Sequence, residues 1–193
     1  MKFDIILAGV GGQGVLSLSA IIASSAMREG LAVKQSEVHG MSQRGGAVLA
    51  HLRLADLPIA SDLIPRGSAA MILGMEPLES LRYLEYLGSG GTVITSTTPV
   101  SNIPDYPPIE DVLAAIRGLP HARLVEAEAL ARQSGSARAT NMVMVGAASP
   151  LLPVAFATIE HFVETAFAAK GAKVVETNLK ALHAGRAAAA TAP

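Results

Sequence analysis

The chain has 193 residues, enough for one well-buried core and cramped for two, with a formal net charge of −1 and no cysteine. Near-neutral charge leaves no basic footprint for nucleic acid, and the absence of cysteine excludes disulfides, a thiol nucleophile and a cysteine-ligated iron–sulfur cluster held by this chain alone. Half of the residues are apolar but only 4% are aromatic, so the core is expected from Ala, Val, Leu and Ile, as in a mostly parallel sheet covered by helices.

Residues 3–8 read as a buried first strand and 14–28 as the first helix, with Val15, Leu18, Ile21, Ile22 and Ser25 at helical spacing. Between them runs Gly9-Val10-Gly11-Gly12-Gln13-Gly14. Glycines at G-x-G-x-x-G spacing let a chain turn tightly and let its backbone approach an anion, while free N–H groups at the helix start attract phosphate. This context favours an anion cradle over a glycine turn that serves packing alone. It leaves open NAD, a flavin, the phosphates of coenzyme A or a partner's cofactor. Gln13 either adds an amide to such a site or braces the loop.

The second strand is expected over 32–37 and ends on Glu37, about where a dinucleotide fold carries its ribose-binding acid. The segment that follows, Val38-His39-Gly40-Met41-Ser42-Gln43-Arg44-Gly45-Gly46, is more polar than a ribose loop requires. His39, Ser42, Gln43 and Arg44 put an imidazole, a hydroxyl, an amide and a guanidinium at a strand's C-terminal end, where open α/β sheets bind ligands. Arg44 either grips a phosphate or carboxylate in bidentate fashion or pairs with Glu37, two roles of equal weight.

Residues 47–54 partly alternate and predict an antiparallel third strand near an edge, with one wetter face. A loop over 56–67 precedes a strand at 70–73, a helix over 76–87 and a strand at 92–95. Four prolines make 97–108 an extended surface connection, followed by a helix at 109–116 and a short strand at 123–126. From about 127 the chain is predicted to be mainly helical, with helices over 141–147, 155–170 and 174–190. Asn141 is read first as a helix cap and second as a polar contact in the glycine cleft.

The resulting fold class is α/β: a three-layer α/β/α, Rossmann-like arrangement with a mostly parallel, mixed sheet and helices on both faces, in one domain over 1–193. His51, His121, His161 and His183 share no metal-ligand spacing, and neither a G-x-S-x-G elbow nor an H-E-x-x-H pair occurs. No metal and no catalytic residue is assigned. Asp4 and the glycine turn break the N-terminal apolar run, and no apolar run reaches spanning length, so a cytoplasmic location away from membranes is expected.

Gly9 to Val15 together with Glu37-Val38-His39-Gly40-Met41-Ser42-Gln43-Arg44-Gly45-Gly46 resembles the gamma-type domain of 2-oxoacid:ferredoxin oxidoreductases. Segments 61–67, 73–79, 141–143 and 176–181 extend the resemblance over nearly the whole chain. Where pyruvate and 2-oxoglutarate members carry a Tyr-Gly-Pro-Glu type loop, His39 to Gln43 is similar to the beta subunits of the indolepyruvate branch. The resemblance implies a two-subunit enzyme that decarboxylates aryl pyruvates oxidatively to aryl-acetyl-CoA and passes electrons to ferredoxin. It implies thiamine diphosphate and iron–sulfur clusters in the alpha subunit and coenzyme A as co-substrate. On that footing the Gly9–Gly14 cradle and the Arg44 loop are expected to face that subunit, either receiving coenzyme A or shaping access to the thiamine site. A pyruvate-type gamma subunit, a free NAD-binding protein and a purely structural partner stand as alternatives.

Overall fold

Six strands, β1 (Lys2–Val10), β2 (Ala32–His39), β3 (Ala47–Ala55), β4 (Ala69–Gly74), β5 (Leu87–Ser96) and β6 (Ala122–Val125), form one sheet in the order β2-β3-β1-β4-β5-β6. The computed structural model describes residues 1–39, 45–101 and 103–191, with the side chains of His39 and Thr191 outside the description. β1, β4, β5 and β6 are mutually parallel, whereas β3 runs antiparallel to both of its neighbours. The sheet is therefore mixed, with a parallel half that ends on one edge.

Helices α1 (Val15–Arg28), α4 (Ala127–Gln133), α5 (Thr140–Ala148), α6 (Phe156–Phe167) and α7 (Ala172–Thr191) supply Leu18, Ala131, Val143, Ile159 and Leu182 to a core with Ile5, Leu7 and Leu73. Ile6, Ile72 and Val93 point to the opposite face and pack with Ile64, Tyr83 and Leu84. Helices α2 (Pro77–Arg82) and α3 (Ile109–Arg117) connect β4 to β5 and β5 to β6 on that side, as right-handed crossovers require. Among the described residues no helix is long and apolar enough to cross a membrane.

Two expectations need correction. The third strand is antiparallel and next to the edge strand β2, as predicted, but the wetter face expected of it is buried. The His51 and Arg53 that gave β3 its wet look are 3% and 8% exposed and both hydrogen-bonded. Arg53 donates to both carboxylate oxygens of Asp4 at 2.9 and 3.1 Å and to the carbonyls of Ser61 and Leu63, which pins the 56–68 loop over the sheet. His51 Nδ1 accepts the Ile64 N–H at 3.1 Å, and burial pushes its pKa below the ordinary histidine value, which keeps the ring able to accept.

The helix expected over 76–87 ends sooner. α2 stops at Arg82, a 3-10 turn covers Leu84–Tyr86, and Leu87 opens β5 opposite Ala69. Leu78, Leu81, Leu84 and Leu87 keep a helical spacing, but Leu84 and Leu87 reach the second core from a turn and a strand. The Gly67 N–H donates to the Glu85 carbonyl at 2.8 Å and anchors that turn.

Candidate functional site

β1 and β4 lie side by side, and the chain leaves them toward opposite faces, into α1 and α2 respectively. This divergence opens a crevice at the carboxyl ends of the parallel strands, the place where open α/β sheets receive ligands. The crevice holds a cleft of about 410 Å³ with the Gly12–Gly14 turn on one side. Ser96 at the end of β5, with Thr98 and Val100 beyond it, forms a second wall, and Arg138, Thr140 and Asn141 form the third.

The turn owes its shape to Gln13 and Gly14. Gln13 Oε1 accepts the Val10 N–H at 2.8 Å, and its Nε2 donates to the Met75 carbonyl at 3.1 Å, so the side chain ties the end of β1 to the end of β4. Gly14 caps α1 with φ 74° and ψ 32°, a left-handed conformation that a side chain disfavours. No acidic residue occupies the first turn of α1, so the positive end of the helix dipole faces the cleft unneutralised by its own helix.

Asn141 is not a cap. The N-cap of α5 is Ala139, without a side-chain hydrogen bond, and Asn141 is the second residue of the helix, where its Nδ2 donates to the Gly14 carbonyl at 2.9 Å. The second of the two roles considered for it, a polar contact in the cleft, is the one observed. The amide joins the glycine turn to α5 across 127 residues of sequence.

Arg138, Thr140, Ser96 and Thr98 went unnoticed in the sequence. Arg138 is exposed, and among the described residues its guanidinium has no carboxylate partner. The nearest acid of the cleft, Glu128, is already paired with Arg132 at 2.5 Å. A cation three residues before the selected Asn141, at the start of a helix, was the available signal.

The other expected site residues are distributed differently. Gly9 is buried beneath the turn, where a Cβ would stand 2.8 Å from Val15 Cγ2 and 3.2 Å from Met75 Cβ. Gly11 donates its N–H to the Gly46 carbonyl at 2.8 Å and accepts from the Gly45 N–H at 3.4 Å, which extends the β1–β3 pairing into the turn. Gly12 has φ 100° and lines the cleft. Glu37 lies in β2 opposite Ala50, with β3 between it and β1. Two strand spacings, roughly 10 Å, thus separate it from the strand that carries the turn, unlike the acid of a dinucleotide site. The backbone of His39 closes β2 opposite Val48. The His39 side chain and Ser42, Gln43 and Arg44 lie outside the described residues.

This arrangement suits an anion with a polar extension: dipole, guanidinium, hydroxyls and an amide converge on a cleft in which no nucleophile is paired with a base among the described residues. A model of the pyruvate ferredoxin/flavodoxin oxidoreductase family matches residues 4–188.

The chain belongs to this family. Within it, the indolepyruvate oxidoreductase subunit IorB of Archaeoglobus fulgidus is 38% identical over 192 residues, covering 96% of this chain and 94% of that protein. The protein of the same name from Pyrococcus horikoshii is 34% identical over 97% of this chain and 96% of its own length. The fold is similar to that of the 2-oxoglutarate:ferredoxin oxidoreductase from Magnetococcus marinus, solved with 2-oxoglutarate, coenzyme A and succinyl-CoA bound. That likeness has a TM-score of 0.80 at 22% identity and covers all of this chain but 32% of the larger one. The family fold thus occurs both as a chain of this size and as about a third of a longer polypeptide.

Proposed function

We propose that this chain is the beta subunit of an indolepyruvate:ferredoxin oxidoreductase, a gamma-type domain over 1–193 that acts in the cytoplasm with a larger alpha subunit. The observation that carries the reading is near full-length similarity to subunits named for indolepyruvate oxidation. The reaction decarboxylates an aryl pyruvate oxidatively to its acyl-CoA thioester, and the electrons pass to ferredoxin. A chain without cysteine offers no thiolate for a cluster, so the iron–sulfur clusters and thiamine diphosphate are assigned to the alpha subunit. Thiamine diphosphate supplies the carbanion chemistry of 2-oxoacid decarboxylation.

The part assigned to this chain is binding and orientation of coenzyme A. Arg138 and the start of α1 hold its phosphates, Thr98 offers a hydroxyl to its polar groups, and Thr140 Oγ1, whose proton is donated to the Ala137 carbonyl at 2.7 Å, offers an acceptor. Asn141 keeps the turn in register with α5 through the Gly14 carbonyl. Coenzyme A bound in the Magnetococcus relative is consistent with this assignment. Gly9, Gly11, Gly12 and Gln13 shape the cradle, and His39, Ser42, Gln43 and Arg44 are proposed to complete the surface toward the alpha subunit.

Anaerobic reduction of an artificial acceptor by indolepyruvate plus coenzyme A, measured with the cognate alpha subunit with and without this chain, tests the assignment. Activity is expected only when both are present. Full activity of alpha alone would refute the subunit role, and turnover of a different 2-oxoacid in place of indolepyruvate would refute the substrate.

A further inference from the structure

The wall of the cleft formed by Thr98 and Val100 belongs to the proline-rich connection after β5, which among the described residues forms no strand and keeps one backbone-to-backbone bond to the sheet, from the Thr97 N–H to the Val125 carbonyl at 3.0 Å. A buried carboxylate holds it. Glu76, 1% exposed, follows β4 and caps α2: its Oε2 accepts the Glu79 N–H at 2.8 Å. Its Oε1 accepts the Val100 N–H at 3.3 Å and the Tyr106 hydroxyl, in a short hydrogen bond. Two points of this strap, Val100 and Tyr106, therefore converge on one oxygen atom.

The same corner of the chain also holds the glycine turn. Met75, the residue before Glu76, donates its N–H to the Ala8 carbonyl at 2.8 Å and accepts from Gln13 Nε2 through its own carbonyl. The Glu76 carbonyl accepts the Ser80 hydroxyl at 2.9 Å, and Ser80 Oγ is in turn hydrogen-bonded to Thr95 Oγ1 at 2.7 Å, which fixes the end of β5. One dipeptide thus sets the positions of the turn, the strap and the strand end that face each other across the cleft.

We infer that Glu76 and Tyr106 are positioning residues for coenzyme A: their hydrogen bond fixes the Thr98–Val100 wall at a set distance from the Gly12–Gly14 turn and so sets the width of the binding cleft. Neither side chain lines the cleft, and both act through the Val100 backbone. Burial, with the Glu76 carboxylate beside it, raises the pKa of Tyr106, so its hydroxyl stays protonated and donating throughout the physiological range. Loss of that donor leaves Glu76 with two backbone N–H partners, enough to keep α2 capped while freeing the far end of the strap.

This inference rests on the coenzyme A assignment above, and the test separates the two. In the assembled enzyme, Tyr106→Phe is expected to raise the KM for coenzyme A by about five-fold, the order expected from losing one charge-assisted hydrogen bond that acts indirectly. The values of kcat and of the KM for the 2-oxoacid are expected to stay within about two-fold of the parent. Hydrogen exchange at the Val100 amide is expected to speed up, while that at Leu18 in α1 is unchanged. A rise in the KM for coenzyme A with Arg138→Ala but not with Tyr106→Phe would overturn the positioning role and leave the cleft assignment intact. No change with either variant would overturn both.

Discussion

Gly146→Ala is expected to destabilise the protein by about 3 kcal/mol, at the upper end of what overpacking normally costs. In an exposed helix the same change would help, because Ala is favoured over Gly by about 1 kcal/mol. Here packing decides. A methyl group at 146 would overlap the Leu182 carbonyl oxygen and stand 2.9 Å from its carbonyl carbon and 3.0 Å from the Arg186 nitrogen. At the matching position on α7, a Cβ on Gly185 would meet the Val143 backbone, with its carbonyl carbon at 2.7 Å. Both obstacles are main chain, so no rotamer can relieve them and the helices must separate.

The consequence reaches the site, because α5 carries Asn141 at one end and Gly146 in the crossing. Thermal unfolding of Gly146→Ala should show a Tm lower by roughly 6–12 °C, given about 2–4 °C per kcal/mol for a chain of this size. Gly118→Ala is the control: at φ −75° its nearest neighbour would be the Ala115 carbonyl oxygen at 3.4 Å, so stability should be nearly unchanged. A Gly146→Ala protein as stable as Gly118→Ala would show that α5 and α7 do not approach backbone to backbone.

Gly14→Ala is expected to damage the cleft more than the fold. The left-handed φ of 74° costs an L-residue roughly 1–2 kcal/mol, and the new methyl would stand 2.5 Å from Asn141 Nδ2. The amide has to leave, and its hydrogen bond to the Gly14 carbonyl goes with it. The KM for coenzyme A in the assembled enzyme should rise by about ten-fold or more, equivalent to about 1.4 kcal/mol of lost binding. Asn141→Ala removes the same hydrogen bond without straining the turn, so its effect should have the same direction and a smaller size. If Gly14→Ala kept the parental KM, the turn would not be part of the binding surface.

Local features of this protein were the legible ones. A buried apolar run, a glycine turn and a 3.6-residue periodicity place β1, the cradle and α1 from sequence within two residues, because each depends on near neighbours along the chain. The order of the strands does not. Insertion of β3 between β1 and β2 follows from pairing across the sheet, and it moves Glu37 away from β1 although its sequence offset suits a dinucleotide fold. His51 and Arg53 looked solvated because their partners, the Ile64 N–H and Asp4, are 13 and 49 residues away.

Asn141 illustrates the same limit inside the site. A polar residue near a helix start is usually explained by capping, and only the approach of α5 to the glycine turn turns its amide toward Gly14. Gln13 was legible in both of its possible roles, and its two hydrogen bonds make it a brace between strand ends. Arg138 acquires meaning only once α4, α5 and the glycine turn meet, since in sequence it is one exposed cation among 15 lysines and arginines.

Steady-state kinetics of Arg138→Ala in the assembled alpha–beta enzyme, varying coenzyme A and indolepyruvate separately, is the most direct test of the claim that this chain supplies the anion-binding wall for coenzyme A. A KM for coenzyme A raised about ten-fold or more, with the KM for indolepyruvate unchanged and the rise shrinking as salt screens the parent enzyme's own interaction, is the predicted result. Unchanged kinetics toward coenzyme A, or an effect confined to indolepyruvate, would contradict it.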